Sequence, residues 1–442
     1  MKEIGQVVEK YRSLILEAEK YIWEHPETGY KEVKTSAYMA EQFEKLGYTL
    51  AYAEGITGFY TQIDTGRAGP EILILGELDS IICPTHPEAD KQTGAVHSCG
   101  HNGQCAALLG VAAALKEEGI LSQLSGKIRL CAVPAEELLE MEYRTKLMQE
   151  GKIRYFGGKS EFLSRGYFDG VDLAFMVHLA ENSLVRLGSV GIIAKTITYK
   201  GVAAHAGGSP WNGKNALYAA NCGLSAVNAL RETFQEKDLI RWHPILTHGG
   251  DMVNAIPETA TIESYVRGLY LDSIVRESKK IDRALIGAAL SFGINVEIVD
   301  EPGYAPLQND RRMIQVAKEA YEAITGEPLE VQEVYSTGST DMGDLSTIMP
   351  VVHPYIGGCV GKTHGNDYHI IDKERACVTN AKWQVAMLIA LMGNGAELAK
   401  EIVENYKPVF ASKEEFLAYQ DLLKQKGDRI EYRSDGSAVI KG

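Results

Sequence analysis

Apolar residues follow two kinds of spacing along this chain. Where they recur every three or four positions the pattern predicts an amphipathic helix, and where they run consecutively it predicts a buried strand. The helical pattern covers an opening segment that ends at about Trp23, KTSAYMAEQFEKLGY (34–48) and GQCAALLGVAAALKEEG (103–119). The strand pattern covers GFYTQI (58–63), EILILGELD (71–79), KIRLCAV (127–133) and VDLAFMVHL (171–179). This alternation of helices and strands predicts an α/β fold.

The pattern changes after Leu187. The segment SVGIIAKTITYKGVAAHAG (189–207) alternates apolar and polar residues, which is typical of a half-exposed antiparallel strand. Further helices are predicted over 215–234 and 272–292, and further strands over 259–271 and 294–301. We interpret this region as a compact β-α-β-β-α-β module inserted into the α/β domain.

The domain boundaries follow from this change of pattern. We predict a first domain made of residues 1–187 and 303–442, and an inserted domain over 188–302. Residues 400–442 form a charged, helical C-terminal extension of the first domain in this prediction.

Charge narrows the range of partners. The net charge of −14 disfavours nucleic acid, because no basic stripe is available to replace phosphate counterions. No apolar stretch is long enough to span a membrane, and the charged amphipathic start argues against a signal peptide. We therefore expect a cytoplasmic protein that acts on a small molecule, with neither a nucleic acid nor a membrane as partner.

The cysteines give one candidate metal ligand. The chain has seven, at positions 83, 99, 105, 131, 222, 359 and 377, and none forms a C-x-x-C pair. Most of them are expected to be reduced and buried. Cys99 differs because His101 follows two positions later and a small-residue helix begins there, so thiolate and imidazole can reach one ion.

Further metal-ligating residues occur where predicted strands end. Asp79, the pair Glu136-Glu137 and His178 each close an apolar strand, and GKTHGNDYHI adds His364 and His369 from later in the chain. In a parallel sheet, the side chains that bind ligands lie at or just beyond the carboxyl ends of the strands. Thiolate, imidazole and carboxylate donors together suit Zn²⁺, Mn²⁺ or Co²⁺ better than Mg²⁺ or Ca²⁺.

Each of these residues also has an ordinary structural interpretation. A Glu-Glu pair alone is typical of a solvated strand end, and His178 fits a hydrogen-bonded core histidine equally well. His364 and His369 could both be loop residues. Beside a metal, however, one glutamate can bind the ion while its neighbour removes a proton from a bound water.

Seven motifs in order resemble one family over residues 20–395. They are WEHPETGYKEVKTSAYMAEQFEKLG, HSCGHNGQCAALLG, PAEE, MVHL, GVAAHAGGSPWNGKNAL, VNAIPETATIESYVRG and STGSTDMGD. The chain resembles the M20 metallopeptidases, in the amidohydrolase branch that cleaves hippurate, N-acyl amino acids and auxin conjugates. Within that branch the motifs are most similar to the B-type subunit of aminobenzoyl-glutamate hydrolase and to β-alanyl-lysine-type dipeptidases.

The resemblance implies a fold and a metal site. The fold is a mixed-sheet, zinc-peptidase-like catalytic domain with an inserted ferredoxin-like α+β lid and dimerisation domain. Two divalent ions (Mn²⁺, Zn²⁺ or Co²⁺) are implied, with ligands Cys99, His101, Glu137, His178 and His364 and with the thiolate bridging. The Ser-Pro that usually follows the last histidine is missing, so His369 stays a competitor of His364.

The resemblance also assigns the remaining roles. Glu136 becomes the general base, and Asp79 orients a ligand. In the lid, His205 polarises the scissile carbonyl, often across a dimer interface, and Asn254 and Arg267 contact substrate. The Gly338 turn, which lacks the ending of a phosphate loop, would hold the substrate carboxylate with Arg267.

Together these expectations define an amide-bond hydrolase. We predict cleavage of an N-acyl, N-aroyl or N-aminoacyl amino acid by a metal-bound water that Glu136 activates, in a homodimer formed through the lid. The alternatives are a non-catalytic homologue that binds an amino-acid conjugate or serves in assembly, and an amidase with Cys99 as nucleophile. Asn102 and Gln104 depart from the Asp and His usual in the branch, so its substrate preference does not transfer to this chain.

Overall fold

The computed structural model describes residues 2–441, which divide into two compact units. The first unit contains residues up to Gly188, Leu307–Ser336 and Thr340–Lys413. The second unit contains Ser189–Pro306, Thr337–Ser339 and the residues from Glu414 onward.

Fourteen α-helices lie within the described residues. They are α1 (Lys2–Glu9), α2 (Arg12–Trp23), α3 (Val33–Lys45), α4 (His101–Ala114), α5 (Glu118–Leu121), α6 (Met141–Gln149), α7 (Gly158–Ser164), α8 (Ala216–Leu230), α9 (Leu271–Ser291), α10 (Arg311–Thr325), α11 (Met342–Leu345), α12 (Asn380–Met392), α13 (Glu397–Asn405) and α14 (Lys413–Leu423). A π-helix, Glu374–Thr379, precedes α12. Among residues 2–441, no helix combines the length and the apolar character needed to cross a membrane.

The strands number twenty-two over the same residues. They are β1 (Ala51–Tyr52), β2 (Phe59–Asp64), β3 (Glu71–Glu77), β4 (Ile81–Ile82), β5 (Ala95–Val96), β6 (Lys127–Val133), β7 (Leu173–Phe175), β8 (His178–Leu179), β9 (Leu184–Ser189), β10 (Gly191–Lys200), β11 (Arg241–His248), β12 (Thr259–Gly268), β13 (Asn295–Pro302), β14 (Leu307–Gln308), β15 (Glu330–Ser336), β16 (Val351–Val352), β17 (Tyr355–Ile356), β18 (Cys359–Val360), β19 (His369–Ile370), β20 (Gln425–Asp428), β21 (Ile430–Tyr432) and β22 (Ala438–Ile440).

The first unit is built on a six-stranded sheet of order β1-β2-β6-β3-β7-β16. The strands β6, β3, β7 and β16 are parallel, whereas β2 runs antiparallel to β6. Every residue of β3 is buried, as its continuous Ile-Leu-Ile-Leu run predicts. Because the parallel strands end at the same edge, the segments that follow β3, β6 and β7 meet there.

Helix α4 fills the core beside this sheet. All fourteen of its residues are buried, and most of them are Ala, Gly, Leu or Val. Small side chains allow close approach: a methyl group added at Gly110 would come within 2.6 Å of Ile15 Cδ1 on α2. The close packing fixes the start of α4, which carries His101.

The segment 171–179 differs from its prediction as one continuous strand. It forms β7 in the large sheet and then β8, which pairs with β17 in a smaller sheet of order β14-β9-β17-β8. The change of sheet at Met176 and Val177 directs His178 away from the continuation of β7. An apolar run on its own does not reveal that two sheets share it.

The second unit has an antiparallel sheet of order β11-β12-β10-β13-β20. The first four strands and helices α8 and α9 follow one another as β-α-β-β-α-β, the predicted order. Alternate residues of β12 are buried, so one face of the sheet carries the core. That core contains Trp242, Ile262, Val266, Ile281 and Leu285.

The C-terminal residues correct one prediction. We assigned 400–442 to the catalytic domain, but residues from Glu414 onward cluster with the second unit. The reason is strand pairing: β20 extends the second sheet beside β13, with Ile298 opposite Gly427. The extension is therefore an added edge strand followed by a β21-β22 hairpin, and only its beginning is helical.

Candidate metal centre

The loop Cys99-Gly100-His101 forms a tight turn into α4. Gly100 has φ of 87°, a left-handed value that favours glycine, and it caps the helix. A Cβ at Gly100 would lie 2.5 Å from Tyr368 Oη and 2.8 Å from Leu179 Cβ. Glycine is therefore required both by the backbone and by its neighbours. The turn places the Cys99 thiol and the His101 ring on the same side.

Five predicted ligands gather into two groups that share Cys99. One group is Cys99, His101 and His178, and the other is Cys99, Glu137 and His364. Cys99 Sγ lies 3.5 Å from His178 Nε2 and 3.4 Å from His364 Nε2. Two ligands of one tetrahedral ion lie roughly 3.3–3.6 Å apart when each bond is about 2.0–2.3 Å. The spacing of the donors therefore fits ions bound on either side of the thiolate.

The orientation of the histidines fits the same interpretation. Nδ1 of His178 is 2.7 Å from the Leu179 carbonyl, and Nδ1 of His101 is 2.9 Å from the Asp79 carbonyl. Both contacts direct Nε2 toward the thiol side. His101 Nε2 and Glu137 Oε1 are both buried, and each faces another ionisable side chain of the site: Glu77 Oε2 lies 3.2 Å from the first and His364 Nε2 lies 2.8 Å from the second. A cation bound among these donors would satisfy both atoms.

Asp79 connects the ligands to one another. Its Oδ2 accepts a hydrogen bond of 2.7 Å from the backbone N–H of Glu137, and its Oδ1 lies 3.3 Å from His101 Nδ1. The side chain is fully buried. One carboxylate thus orients two candidate ligands.

Glu136 lies beside this group without belonging to either donor triad around Cys99. Its Oε2 is 3.9 Å from His101 Nε2. Burial, with the nearby charges of Glu77, Glu137 and Asp341, raises the pKa of Glu136 well above its ordinary value. A carboxylate with a raised pKa accepts and releases a proton more readily near neutral pH, which suits a general base.

The neighbouring charges shift the other groups as well. Burial and Glu137 raise the pKa of the Cys99 thiol, but His101 and His178 lower it more, to about 6. The pKa of His364 is lowered by burial but raised further by Glu137 and Cys99, to about 11. Cys99 is therefore poised to be a thiolate, the form that binds metals.

The two candidate histidines of GKTHGNDYHI lie in different surroundings. His364 Nε2 is 2.8 Å from Glu137 Oε1 and also contacts Cys99. His369 packs instead against Trp23 and His86, with its Nδ1 3.7 Å from a carboxylate oxygen of Glu88. The geometry therefore favours His364 as the last ligand.

Sequence reasoning missed a buried ion cluster next to the ligands. Lys159 Nζ donates to Glu77 Oε1 at 2.5 Å and also donates to Asp341, and all three side chains are fully buried. The other oxygen of Glu77 lies 3.2 Å from His101 Nε2. Glu77 stands two positions before Asp79 at the end of the same apolar strand, so its position could have suggested that it lies near the site. Lys159 lies in an ordinary helical segment, and nothing in its sequence neighbourhood indicates a role in the site.

The two departures from the branch pattern have identifiable partners. Asn102 donates a 3.0 Å hydrogen bond to Glu19, which also accepts one from Lys373. Gln104 donates a 3.0 Å hydrogen bond to Glu77. Both side chains therefore bind buried carboxylates around the site.

The remaining predicted residues lie in the second unit. His205 is exposed, and its Nδ1 accepts hydrogen bonds from the backbone N–H groups of Gly207 and Gly208 at 3.2 and 2.9 Å. Asn254 is adjacent, because its carbonyl accepts the N–H of Ala206 at 2.9 Å.

Arg267 lies at the end of β12, near the predicted glycine turn. Its Nη1 donates to Ser339 Oγ at 2.8 Å, and its Nε donates to His243 Nε2 at 3.0 Å. Residues 337–339, which include Gly338, belong to the second unit. The unit therefore brings Arg267 next to the turn that was predicted to hold a carboxylate with it.

Comparisons with known proteins identify the family of this chain. The pattern of peptidase family M20/M25/M40 matches residues 74–390. The chain is 29% identical over 348 residues to the Xaa-Arg dipeptidase of Mus musculus, covering 76% of this chain and 74% of that protein. It is 26% identical over 309 residues to the B-type subunit of p-aminobenzoyl-glutamate hydrolase from Escherichia coli, covering 66% and 59%.

A solved structure has the same architecture. A Bacillus subtilis protein, described as a dinuclear metal binding peptidase, superposes with a TM-score of 0.65 at 21% identity over 87% of this chain and 99% of that one. The predicted fold class is thereby confirmed: an α/β catalytic domain with an inserted α+β domain.

Proposed function

This chain belongs to peptidase family M20/M25/M40, and on that premise we propose that it is a two-metal amidohydrolase that releases an amino acid from an N-acyl, N-aroyl or N-aminoacyl conjugate. Membership confirms the resemblance in the motifs and the prediction of a hydrolase of amide or peptide bonds. The observation that carries the proposal is the pair of donor groups that share Cys99.

Two ions fit the donors better than one. Cys99 would bridge them, with His101 and His178 on one side and Glu137 and His364 on the other. When bound, Zn²⁺, Mn²⁺ or Co²⁺ supplies a Lewis acid for the amide carbonyl and lowers the pKa of water. The Bacillus subtilis neighbour described as dinuclear supports this number.

Glu136 moves the proton in the proposed reaction. It would take a proton from the attacking water and return it to the leaving amine, since one carboxylate can act as base and then as acid. Its burial and the nearby carboxylates favour that exchange, because they raise its pKa. Asp79 would keep His101 and the Glu137 backbone in place during the cycle.

The second unit would bind the substrate. His205 would polarise the scissile carbonyl, Asn254 would contact the substrate, and Arg267 with the Gly338 turn would hold the free carboxylate. A guanidinium suits that task because it donates parallel hydrogen bonds to both oxygens. The names of the relatives, an Xaa-Arg dipeptidase and a p-aminobenzoyl-glutamate hydrolase, support an amino acid as the leaving half.

Two further parts of the proposal concern assembly and location. We expect a homodimer formed through the second unit. The edge strands of its sheet are β11, with eight residues, and β20, with four, so β11 offers the longer edge for pairing with another copy. We also expect a cytoplasmic protein. All seven cysteines are unpaired, which suits a reducing compartment.

The test is a substrate screen with defined metal. Protein stripped by a chelator and reloaded with Mn²⁺, Zn²⁺ or Co²⁺ should cleave at least one N-acyl or aminoacyl amino acid. Glu136→Gln should lower kcat by about 100-fold to 10,000-fold while both ions stay bound. Glu142→Gln, an exposed change on α6, is the matched control and should behave as wild type.

The outcomes separate the proposal from its alternatives. Two bound ions without hydrolysis of any conjugate would favour a binding or assembly protein. Activity that survives complete metal removal would favour Cys99 as a nucleophile. Undiminished turnover in Glu136→Gln would contradict the assigned base.

A further inference from the structure

Two arginines lie side by side at one end of the outward face of the sheet in the second unit. Arg241 on β11 and Arg267 on β12 are directly opposite in the antiparallel register, so their side chains leave the same face. His243, two positions along β11, lies on that face as well. The opposite face carries Trp242 and the core, so the arginines lie on the side away from α8 and α9.

Arg267 is held in a fixed orientation. His243 Nε2 accepts its Nε at 3.0 Å, Ser339 Oγ accepts its Nη1 at 2.8 Å, and the guanidinium stacks 5.5 Å from the Tyr265 ring centre. Burial and the charges of Arg267, Arg241 and Arg231 lower the pKa of His243, which keeps the ring a neutral acceptor. A third arginine, Arg231, is therefore near as well.

This arrangement is unfavourable without an anion. Like charges directly opposite on neighbouring strands repel each other, with Cβ atoms about 5 Å apart. The Arg241 side chain has no hydrogen bond or ion pair with any residue between 2 and 441, although the chain has 59 acidic residues against 45 Lys and Arg. The nearby Arg231 is already used, since it donates to Asn228 and to the Trp242 carbonyl. Of these three arginines, Arg241 is therefore the one whose guanidinium is available to bind an anion.

Resting on the proposed function, we infer that Arg241 binds a second carboxylate, so that the preferred leaving half is an acidic amino acid. Arg267 would hold the α-carboxylate, and Arg241, one strand away, would reach the side-chain carboxylate. The spacing of the two arginines suits the few ångströms that separate the carboxylates of aspartate or glutamate. The opposed charges would then be neutralised by the substrate.

The test compares isosteric leaving groups. With the acyl group that the screen finds most active, kcat/KM is measured for the conjugates of L-glutamate and L-glutamine, which differ only in charge. We expect at least a tenfold preference for glutamate, expressed mainly in KM. In Arg241→Gln the ratio of kcat/KM for the glutamate conjugate to that for the glutamine conjugate should fall to near one, while kcat/KM for the glutamine conjugate should change less than twofold. Arg241→Lys should restore part of the preference for glutamate.

A matched variant controls for overall charge. Arg283→Gln removes the same charge from the exposed side of α9 and should leave the preference unchanged. A preference for glutamine, or a glutamate preference that persists in Arg241→Gln, would overturn the inference. A higher kcat/KM for N-succinyl-L-alanine than for the glutamate conjugate would also overturn it, because that compound carries the second carboxylate on the acyl half.

Binding separates this inference from the proposed function. The dissociation constants of the two conjugates are measured by calorimetry on metal-loaded Glu136→Gln, which does not require turnover. If no conjugate is hydrolysed by the wild type, the proposed function fails. The ratio of the two dissociation constants, and its dependence on Arg241, still supports or overturns the inference.

Discussion

Each unit buries one lysine between two carboxylates, but the two clusters have different surroundings. In the first unit Lys159 contacts Glu77 and Asp341. In the second unit Lys195 lies 2.6 Å from Asp282 Oδ1 and 2.5 Å from Asp300 Oδ1, and both carboxylates also accept from Gln425. Both clusters combine one cation with two anions inside the protein, where an unpaired charge is costly.

The difference lies in the polar atoms next to each cluster. Near Lys159, Gln104 Oε1 is buried without a hydrogen bond within residues 2–441. Asp79 Oδ1, His101 Nε2 and Glu137 Oε1 are buried against ionisable groups of the candidate metal centre, at 3.3 Å from His101 Nδ1, 3.2 Å from Glu77 Oε2 and 2.8 Å from His364 Nε2. Within the same range, no buried side-chain nitrogen or oxygen of Lys195, Asp282, Asp300 or Gln425 lacks a hydrogen bond. A satisfied cluster stabilises strands and helices, whereas unsatisfied buried atoms indicate a place where something else binds. The same combination of charges thus stabilises the fold in one unit and lies beside the candidate metal centre in the other.

The largest effect should come from the shared ligand. Cys99→Ser replaces the thiolate that is proposed to bridge the ions with a poorer ligand, so we expect metal content to fall from two ions to one or fewer. We also expect kcat to fall at least about 1,000-fold, since the ions supply several kcal/mol of transition-state stabilisation. Elemental analysis and single-substrate kinetics measure both. Cys105→Ser, which keeps the hydrogen bond to the Glu77 carbonyl, should retain both ions.

Replacing the two lysines tests the comparison directly. Lys159→Met and Lys195→Met each leave buried carboxylates uncompensated and should cost about 3–5 kcal/mol of unfolding free energy. Only Lys159→Met should also weaken metal binding, by about 10-fold to 100-fold, because Glu77 then loses the partner that positions it beside His101. Chemical denaturation and metal titration measure the two quantities. Equal metal affinity in both variants would contradict the division between site and structure.

The sequence predicted those members of the candidate site that belong to a local pattern. Apolar runs that end in Glu136-Glu137 or His178, and a thiol beside a glycine at a helix start, are features of single segments. The alternation in TATIESYVRG predicted β12 and therefore the face that carries Arg267. These features depend on neighbours in the chain, so a single sequence is enough to find them.

The sequence could not predict features that depend on distant partners. Lys159 resembles a surface lysine until α7 packs beside β6 and α11, and 182 residues separate it from Asp341. The pairing of β20 with β13 joins segments more than 120 positions apart, which a charged C-terminal stretch does not indicate. The change of sheet within 171–179 likewise depends on β17, a strand far along the chain.

The smallest expected effect is a pH dependence of stability that both clusters share. Burial raises the pKa of Asp341 to about 6 and also raises the pKa of Asp300, because one lysine does not compensate two buried carboxylates fully. An acid whose pKa is higher in the folded state binds its proton more tightly there, so its contribution to stability falls as pH rises. For Asp341 this fall lies between about pH 4 and pH 6. Asp341→Asn and Asp300→Asn remove the titrating group.

Asp341→Asn should therefore gain stability relative to wild type across that pH interval, by about 3 kcal/mol at most, and the difference should be constant above it; Asp300→Asn should change in the same direction. Urea denaturation between pH 4 and pH 7.5 on metal-free protein measures the change. A difference that is flat with pH, or that favours wild type as pH rises, would contradict the sign. If the two variants have the same slope while only Asp341→Asn alters metal affinity, the clusters are alike in charge and differ only in what they support.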